Sequence, residues 1–114
     1  MEDIDIVRKC AERMGYTLEP YSKGIRLRGE DGYVCMVIGD SPIAKQYDPL
    51  HDRAQAMDLV IKFGLFIDPP DWQPVKGWNT WQVNHYAGGK VTEIRSEDLL
   101  RAICECVANI KGTT

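Results

Sequence analysis

The chain has 114 residues, of which 44% are hydrophobic and 27% are charged, and its formal net charge is −3. This length suits one domain, residues 1–114, with a core that buries about two-thirds of the unfolded surface. The weak negative charge argues against a broad nucleic-acid surface, and no apolar run approaches the roughly 18 residues that cross a bilayer. Because the first ten residues are acidic and lack the basic flank and apolar core of a secretory signal, we expect the protein to stay in the cytoplasm.

A first helix is predicted from Asp3 to Met14, where apolar side chains recur at helical spacing and Gly15 can end the helix. Residues 16–19 can then form a short extended segment. The expected buried face of the helix consists of Ile4, Val7, Cys10, Ala11 and Met14.

A β-hairpin is predicted next. Residues 24–28 alternate between apolar and basic side chains, and residues 29–32, which include two glycines, can form the turn. Residues 33–38 are almost continuously apolar, so we expect a central strand covered on both faces, with Cys35 inside it. Arg26 and Arg28 share one face of the first strand, which we expect to be solvated or to touch a partner; single-stranded nucleic acid is the less favoured alternative.

A second helix is predicted within residues 47–65, and both of its ends are marked. Asp48-Pro49 imposes a turn, Asp52 can cap the first amides, and Gln55 stands at the capping-box position. Gly64 can close the helix. The apolar side chains cover much of the circumference, so we expect partners on more than one side. They are Ala56, Met57, Leu59, Val60, Ile61 and Phe63.

The second half of the chain predicts another hairpin and a helix. Residues 65–67 can be a short strand or simply chain that returns to the core, and residues 68–77 carry three prolines, which exclude regular structure. Residues 78–86 alternate as a strand, with Trp81, Val83 and His85 facing one way. Gly88-Gly89 can make the turn to a partner strand over residues 90–94.

The last helix is predicted to begin at Ser96, whose hydroxyl can cap it. Its expected buried face consists of Leu99, Leu100, Ile103, Cys104, Val107 and Ile110. The order is therefore helix, hairpin, helix, hairpin, helix. This order predicts an α+β fold, with a mainly antiparallel sheet of two hairpins packed with three helices.

A set of segments spread along the chain matches a known pattern in the same order. These segments are ERMGYTLEP near the start, Tyr47-Asp48-Pro49-Leu50, Asp52, Ala56-Met57, Leu59, Lys62-Phe63-Gly64-Leu65 and Leu99–Ile103. With these segments the chain resembles the phage ABA-sandwich domain family of small phage and prophage proteins. The resemblance implies a layered α/β/α sandwich and a dispensable accessory product of a bacteriophage that acts inside the infected bacterium. It transfers no catalytic residue, because the shared motif is a helix entrance.

Candidates for catalysis are weak. His51-Asp52 can begin a metal site, but His85 is the one further histidine, and a capping aspartate beside a solvent-facing histidine accounts for the pair. Cys35, Cys104 or Cys106 with His85 can be read as nucleophile and base. We expect these thiols in apolar positions, however, where burial raises the thiol pKa. We therefore expect no enzymatic activity, no cofactor and no metal.

The segment between residues 66 and 81 is the favoured recognition element. Trp72 and Trp78 stand there among prolines that include Pro70, and a rigid loop that presents tryptophan is typical of an interface anchor. The alternative is a loop folded over the domain's own sheet. Our candidate partner-binding residues are Trp72, Trp78, Pro70, Arg26 and Arg28.

Three hypotheses for function follow from the sequence. The favoured one is a phage-encoded, non-enzymatic protein that binds a host or viral protein and counters antiviral defence. The alternative is a small-molecule or nucleotide-binding protein with a pocket around His51, His85 and the tryptophans. The third is a self-associating structural protein.

Overall fold

The computed structural model describes residues 2–39, 44–70 and 80–110. These residues form an α+β fold of three helices and two three-stranded antiparallel sheets. None of the described helices is long and apolar enough to cross a membrane. In chain order the elements are α1 Asp3–Arg13, β1 Thr17–Tyr21, β2 Gly24–Arg28, β3 Val34–Gly39, α2 Arg53–Phe63, β4 Phe66–Asp68, β5 Trp81–Ala87, β6 Lys90–Ser96 and α3 Leu99–Ala108.

Both predicted hairpins are present, and each has gained a third strand. The segment after α1 pairs with β2 as β1, and the segment after α2 pairs with β5 as β4. The strand orders are β1-β2-β3 and β4-β5-β6, so the described strands form two sheets rather than the single sheet expected from the sequence. Each short strand finds its partner in the hairpin that follows it, which keeps the pairing local.

The prediction that β3 is a central strand was wrong, because β2 occupies the middle of its sheet and β3 lies at the edge. The register slips between Leu27 and Arg28, and Val34 and Cys35 are exposed next to this irregularity. Only the far end of β3 is covered, where the Val37 amide donates to the Lys45 carbonyl at 2.9 Å. An apolar run therefore did not mean burial on both faces.

Helix α1 buries a face that is rotated from the predicted one. Ile6 is fully buried together with Val7, Cys10 and Ala11, whereas Ile4 is exposed. The buried face is the one that contacts α3, because α1 packs on that helix. An ion pair of 2.7 Å between Asp3 and Arg101 also joins the two helices.

Helix α2 has the predicted ends. The Gln55 amide donates to the Asp52 carboxylate at 3.1 Å, and Gly64 closes the helix in the left-handed conformation, at φ 62° and ψ 48°. The Gln55 side chain does not complete a capping box. It accepts from the Asp48 amide at 2.6 Å and donates to the Gln46 carbonyl at 2.8 Å, which ties the helix to the segment that enters it.

The expectation that α2 is covered on more than one side was wrong. Its buried residues are Gln55, Ala56 and Leu59, and Met57 and Ile61 are exposed. The enclosed helix is α3, which packs against α1, α2, β5 and β6. Its buried residues are Ala102, Ile103, Cys104, Cys106, Val107 and Ala108.

Helix α3 also begins later than predicted. Ser96 ends β6, and the cap is Asp98, whose carboxylate accepts from the Arg101 amide at 3.3 Å. The Ser96 hydroxyl instead accepts from the Asp98 amide at 3.1 Å, so it shapes the turn between strand and helix.

Candidate interaction surface

The sheet β4-β5-β6 has one face toward the core, and on its other face the described side chains are exposed or half-buried except Asn84, which is 5% exposed. Trp81, Val83 and His85 share a face, as the alternation predicted, and Val83 on that face is fully buried where α3 packs. The residues that alternate with them form the opposite surface, here called the outer sheet face. Its members, related by the strand register, are Phe66, Asp68, Gln82, Asn84, Tyr86, Val91, Glu93 and Arg95.

Three large apolar side chains are exposed together at one end of the outer sheet face. Phe66, Tyr86 and Val91 expose 60%, 54% and 44% of their surface. The rings of Phe66 and Tyr86 meet edge to face, with centroids 5.3 Å apart and planes at 75°. Single exposed apolar residues are ordinary, but neighbours that form an apolar patch mark interaction sites.

A ladder of polar side chains continues from this patch along β5 and β6. The Gln82 amide donates to Glu93 at 2.6 Å and to Asn84 at 3.3 Å, and Arg95 donates to the Gln82 oxygen at 3.2 Å. The Asn84 amide donates to the Tyr86 hydroxyl at 3.0 Å, which fixes the ring on its polar side. An apolar centre beside a hydrogen-bonded polar rim is the usual anatomy of a protein–protein interface.

Other exposed apolar side chains lie on other elements. Ile4 is on α1, Tyr33 precedes β3, and Met57 and Ile61 are on α2. Among the described residues, the outer sheet face is where exposed rings contact each other on a regular, hydrogen-bonded backbone.

The predicted basic residues lie on the other sheet and share one acidic partner. Arg28 and Arg26 both pair with Glu19 of β1, at 2.9 Å and 3.2 Å. Hydrogen bonds from Arg28, and then from Arg26, hold the pKa of Glu19 below its ordinary value. Arg26 also lies 4.5 Å from the centre of the Tyr21 ring. Arg26 and Arg28 stay candidates for partner contact, although both are held by Glu19, whose single carboxylate offsets one of their two positive charges.

The proline-rich recognition element falls mostly outside the described residues. Trp72 and Trp78 lie between residues 70 and 80 and are not described. Pro70 is described as half-buried just after β4. These three candidates stay predictions.

The two histidines do not come together in either of two surface clefts. His51 is exposed and its Nδ1 lies 2.8 Å from an Asp48 carboxylate oxygen. It borders a cleft of about 280 Å³, whereas Trp81 borders another of about 650 Å³, and neither set of described lining residues includes His85. Within the described ranges, His, Cys, Asp and Glu side chains form no group of three able to hold a metal ion.

The cysteines are divided between core and surface. Cys10, Cys104 and Cys106 are buried, and the Cys10 thiol donates to the Cys104 carbonyl at 3.4 Å. The placement of Cys35 in an apolar interior was wrong, because it is exposed on the edge strand β3.

Sequence reasoning missed the outer sheet face. The alternation that turned Val83 and His85 inward also turns Tyr86 outward, so one signal was present. Phe66 and Tyr86 come into contact because β4 pairs with β5, and no local sequence pattern predicts that pairing.

No family model matches the chain, and no curated protein sequence matches it. A search of solved structures finds the crystal structure of a phage protein from Bacillus cereus ATCC 14579. The two chains superpose with a TM-score of 0.60 at 21% sequence identity, over 96% of this chain and 93% of the phage protein. This chain therefore shares the fold of a phage protein over nearly its whole length.

Proposed function

We propose that this chain is a phage or prophage accessory protein that acts without catalysis, by binding a host or viral protein through the outer sheet face. The observation that carries the proposal is the exposed contact of Phe66 with Tyr86 beside Val91. The shared fold with a Bacillus cereus phage protein supports a phage origin.

We also propose membership of the phage ABA-sandwich family, with its layered arrangement. One feature supports the membership. The motif on which the resemblance rests does fold as a helix entrance capped by Asp52 and closed by Gly64. Among the described residues, α1 and α2 pack on α3, and α3 packs on one face of β5 and β6, so the α/β/α layering itself stays a proposal.

The non-catalytic role is argued from the candidate nucleophiles and bases. Hydrogen bonding with Cys10 and burial raise the pKa of the Cys104 thiol, and burial raises that of Cys106 to about 12. A thiol that stays protonated and buried is a poor nucleophile. Cys35 is exposed, but it lies on β3 and the candidate base His85 lies on β5 of the other sheet. His51 makes its hydrogen bond within the entrance to α2, where it serves local structure.

The proposal is tested by affinity capture of the tagged protein from infected host cells, with mass spectrometry of the bound proteins. We expect a specific protein to be enriched with the native chain and lost with the Phe66→Ser/Tyr86→Ser variant, because this removes the apolar centre. Tyr33→Ser is the matched control, since Tyr33 is 75% exposed but lies beside the other sheet. Equal capture by the double variant, with a native circular dichroism spectrum, would remove the outer sheet face as the binding site.

We further propose that the protein acts in the host cytoplasm and counters an antiviral defence. A phage that lacks the gene should then plate poorly on a host that carries the defence and normally on one without it. Equal plating on the two hosts would contradict this part of the proposal while leaving the capture result intact.

Binding of a small molecule is the alternative function. Its support is the cleft of about 650 Å³ next to Trp81, since ligand sites usually enclose a few hundred to about a thousand Å³. Arg53 borders the cleft, with Met57 and Leu100 as apolar wall. A thermal-shift screen against nucleotides and metabolites decides: a compound that stabilises the native chain but not Arg53→Ala favours this alternative.

A further inference from the structure

Strand β6 is an edge strand of its sheet, because no strand pairs with its other side in the part of the chain that the structure describes. The turn at Gly88-Gly89 has two residues, and Ala87 stands opposite Lys90. In such a hairpin the flanking pair exchanges hydrogen bonds, and the bonded positions then alternate. The main-chain groups of Val91, Glu93 and Arg95 therefore point away from β5.

The other sheet edges carry features that hinder strand addition. β1 contains Pro20, β3 has the register slip and the contact with residues 45–47, and β4 has three residues followed by Pro69 and Pro70. Proline, bulges and short length are the usual protections of an edge. β6 has seven residues, none of them proline, and pairs with β5 without a register slip.

The charges of β6 are complementary to those of a second β6. When two copies run antiparallel with Ile94 opposite Ile94, each Glu93 stands opposite Arg95 of the other copy, and both lie on the outer sheet face. The main-chain groups of both positions point to the shared edge, so this register also forms the hydrogen bonds. In the two neighbouring registers that keep the same hydrogen-bonding positions, Glu93 stands opposite Glu93 or Arg95 stands opposite Arg95, and both arrangements are repulsive. The sequence of charges thus selects one register.

We propose that a second copy of this chain binds along β6, so that the two sheets become one antiparallel sheet of six strands around a twofold axis. The contact is isologous, and it closes after two copies. It places two apolar patches of Phe66, Tyr86 and Val91 on one continuous surface. This inference does not rest on the proposed partner binding and can hold where that fails.

Sedimentation velocity over a concentration series tests the dimer with purified protein. We expect the native mass to rise from 12.9 kDa toward twice that value as concentration rises. Glu93→Arg alone and Arg95→Glu alone should each weaken association about tenfold or more, because both cross-strand pairs become like-charged. An equimolar mixture of the two variants should associate, since each supplies the charge that the other needs.

The mixture also controls for folding, because a misfolded variant would not regain association. Glu12→Arg on the exposed side of α1 changes the net charge equally and should leave the native association unchanged. A native chain that stays at 12.9 kDa throughout the series would overturn the proposal. So would single variants that associate like the native chain, or a mixture that stays monomeric.

Discussion

At the scale of single residues, the four cysteines show how position decides chemistry. Three thiols are enclosed by α1, α3 and β6, and the Cys106 thiol donates to the Thr92 carbonyl at 3.8 Å. The fourth, Cys35, stands on the exposed edge of β3, with its thiol 3.5 Å from the Leu27 carbonyl. Thiols react as thiolates and need access, so burial protects the first three.

Alkylation of the native protein should therefore modify Cys35 alone. We expect iodoacetamide to add one group per chain at Cys35, and to reach Cys10, Cys104 and Cys106 only in denaturant. Peptide mass spectrometry against time measures this. Rapid native modification of Cys104 or Cys106 would contradict the burial described for α3 and would reopen a role for them as nucleophiles.

Gln55 shows what the sequence could predict at this scale and what it could not. Its spacing from Asp52 correctly placed the start of α2, because an N-cap acts on amides a few residues away. Its side chain, however, bonds Gln46 and Asp48 in the preceding segment. That segment is held in place by its bridge to Val37, so the partners of Gln55 depend on contacts distant in sequence.

At the scale of elements, the helix that is enclosed by its neighbours is α3, whereas the sequence predicts α2. The apolar residues of α2 predicted a helix enclosed on several sides, yet α3 is the enclosed one. Helical spacing correctly identified Ile103, Cys104 and Val107 in α3 and Ile110 just after it, whereas the predicted Leu99 and Leu100 are half-buried. It missed Ala102, Cys106 and Ala108, because spacing indicates a face but not how many neighbours a helix has.

Two matched substitutions test this reversal. Ile103→Ala should lower the free energy of unfolding by about 2–5 kcal/mol, because it leaves a cavity at a fully buried site. Ile61→Ala removes the same atoms from a side chain of α2 that is 75% exposed, and should change stability by only about 0.5 kcal/mol. Urea unfolding followed by circular dichroism measures both. Similar losses for the two variants would mean that α2 is covered after all.

The strands that are joined by a recognisable turn were predicted best. Gly88 and Gly89 have φ of 55° and 79°, the conformation that a two-residue hairpin requires, and the sequence placed this turn correctly. The third strand of each sheet was harder to predict. β1 and β4 have five and three residues, and such short segments become strands only through their partners.

At the scale of the whole molecule, α3 lies at the centre, and no described helix packs on the outer face of the β4-β5-β6 sheet. The alternation of side chains along β5 predicts which of them face the core and which face outward, since it places Val83 and Tyr86 on opposite faces. The rest is tertiary: Phe66 reaches Tyr86 across β4 and β5, and Glu93 reaches Gln82 across β5 and β6. The pattern of one strand cannot show which residues meet on a face that is assembled from three strands.

We propose that the protein binds its partner through the outer sheet face. The most direct measurement is a nuclear magnetic resonance titration, in which the captured protein is added to the isotopically labelled chain. We predict that the largest amide changes fall in residues 66–68, 82–86 and 91–95, around the contact of Phe66 with Tyr86. A footprint centred on the hairpin of Arg26 and Tyr33, or on the cleft beside Arg53, would contradict the claim.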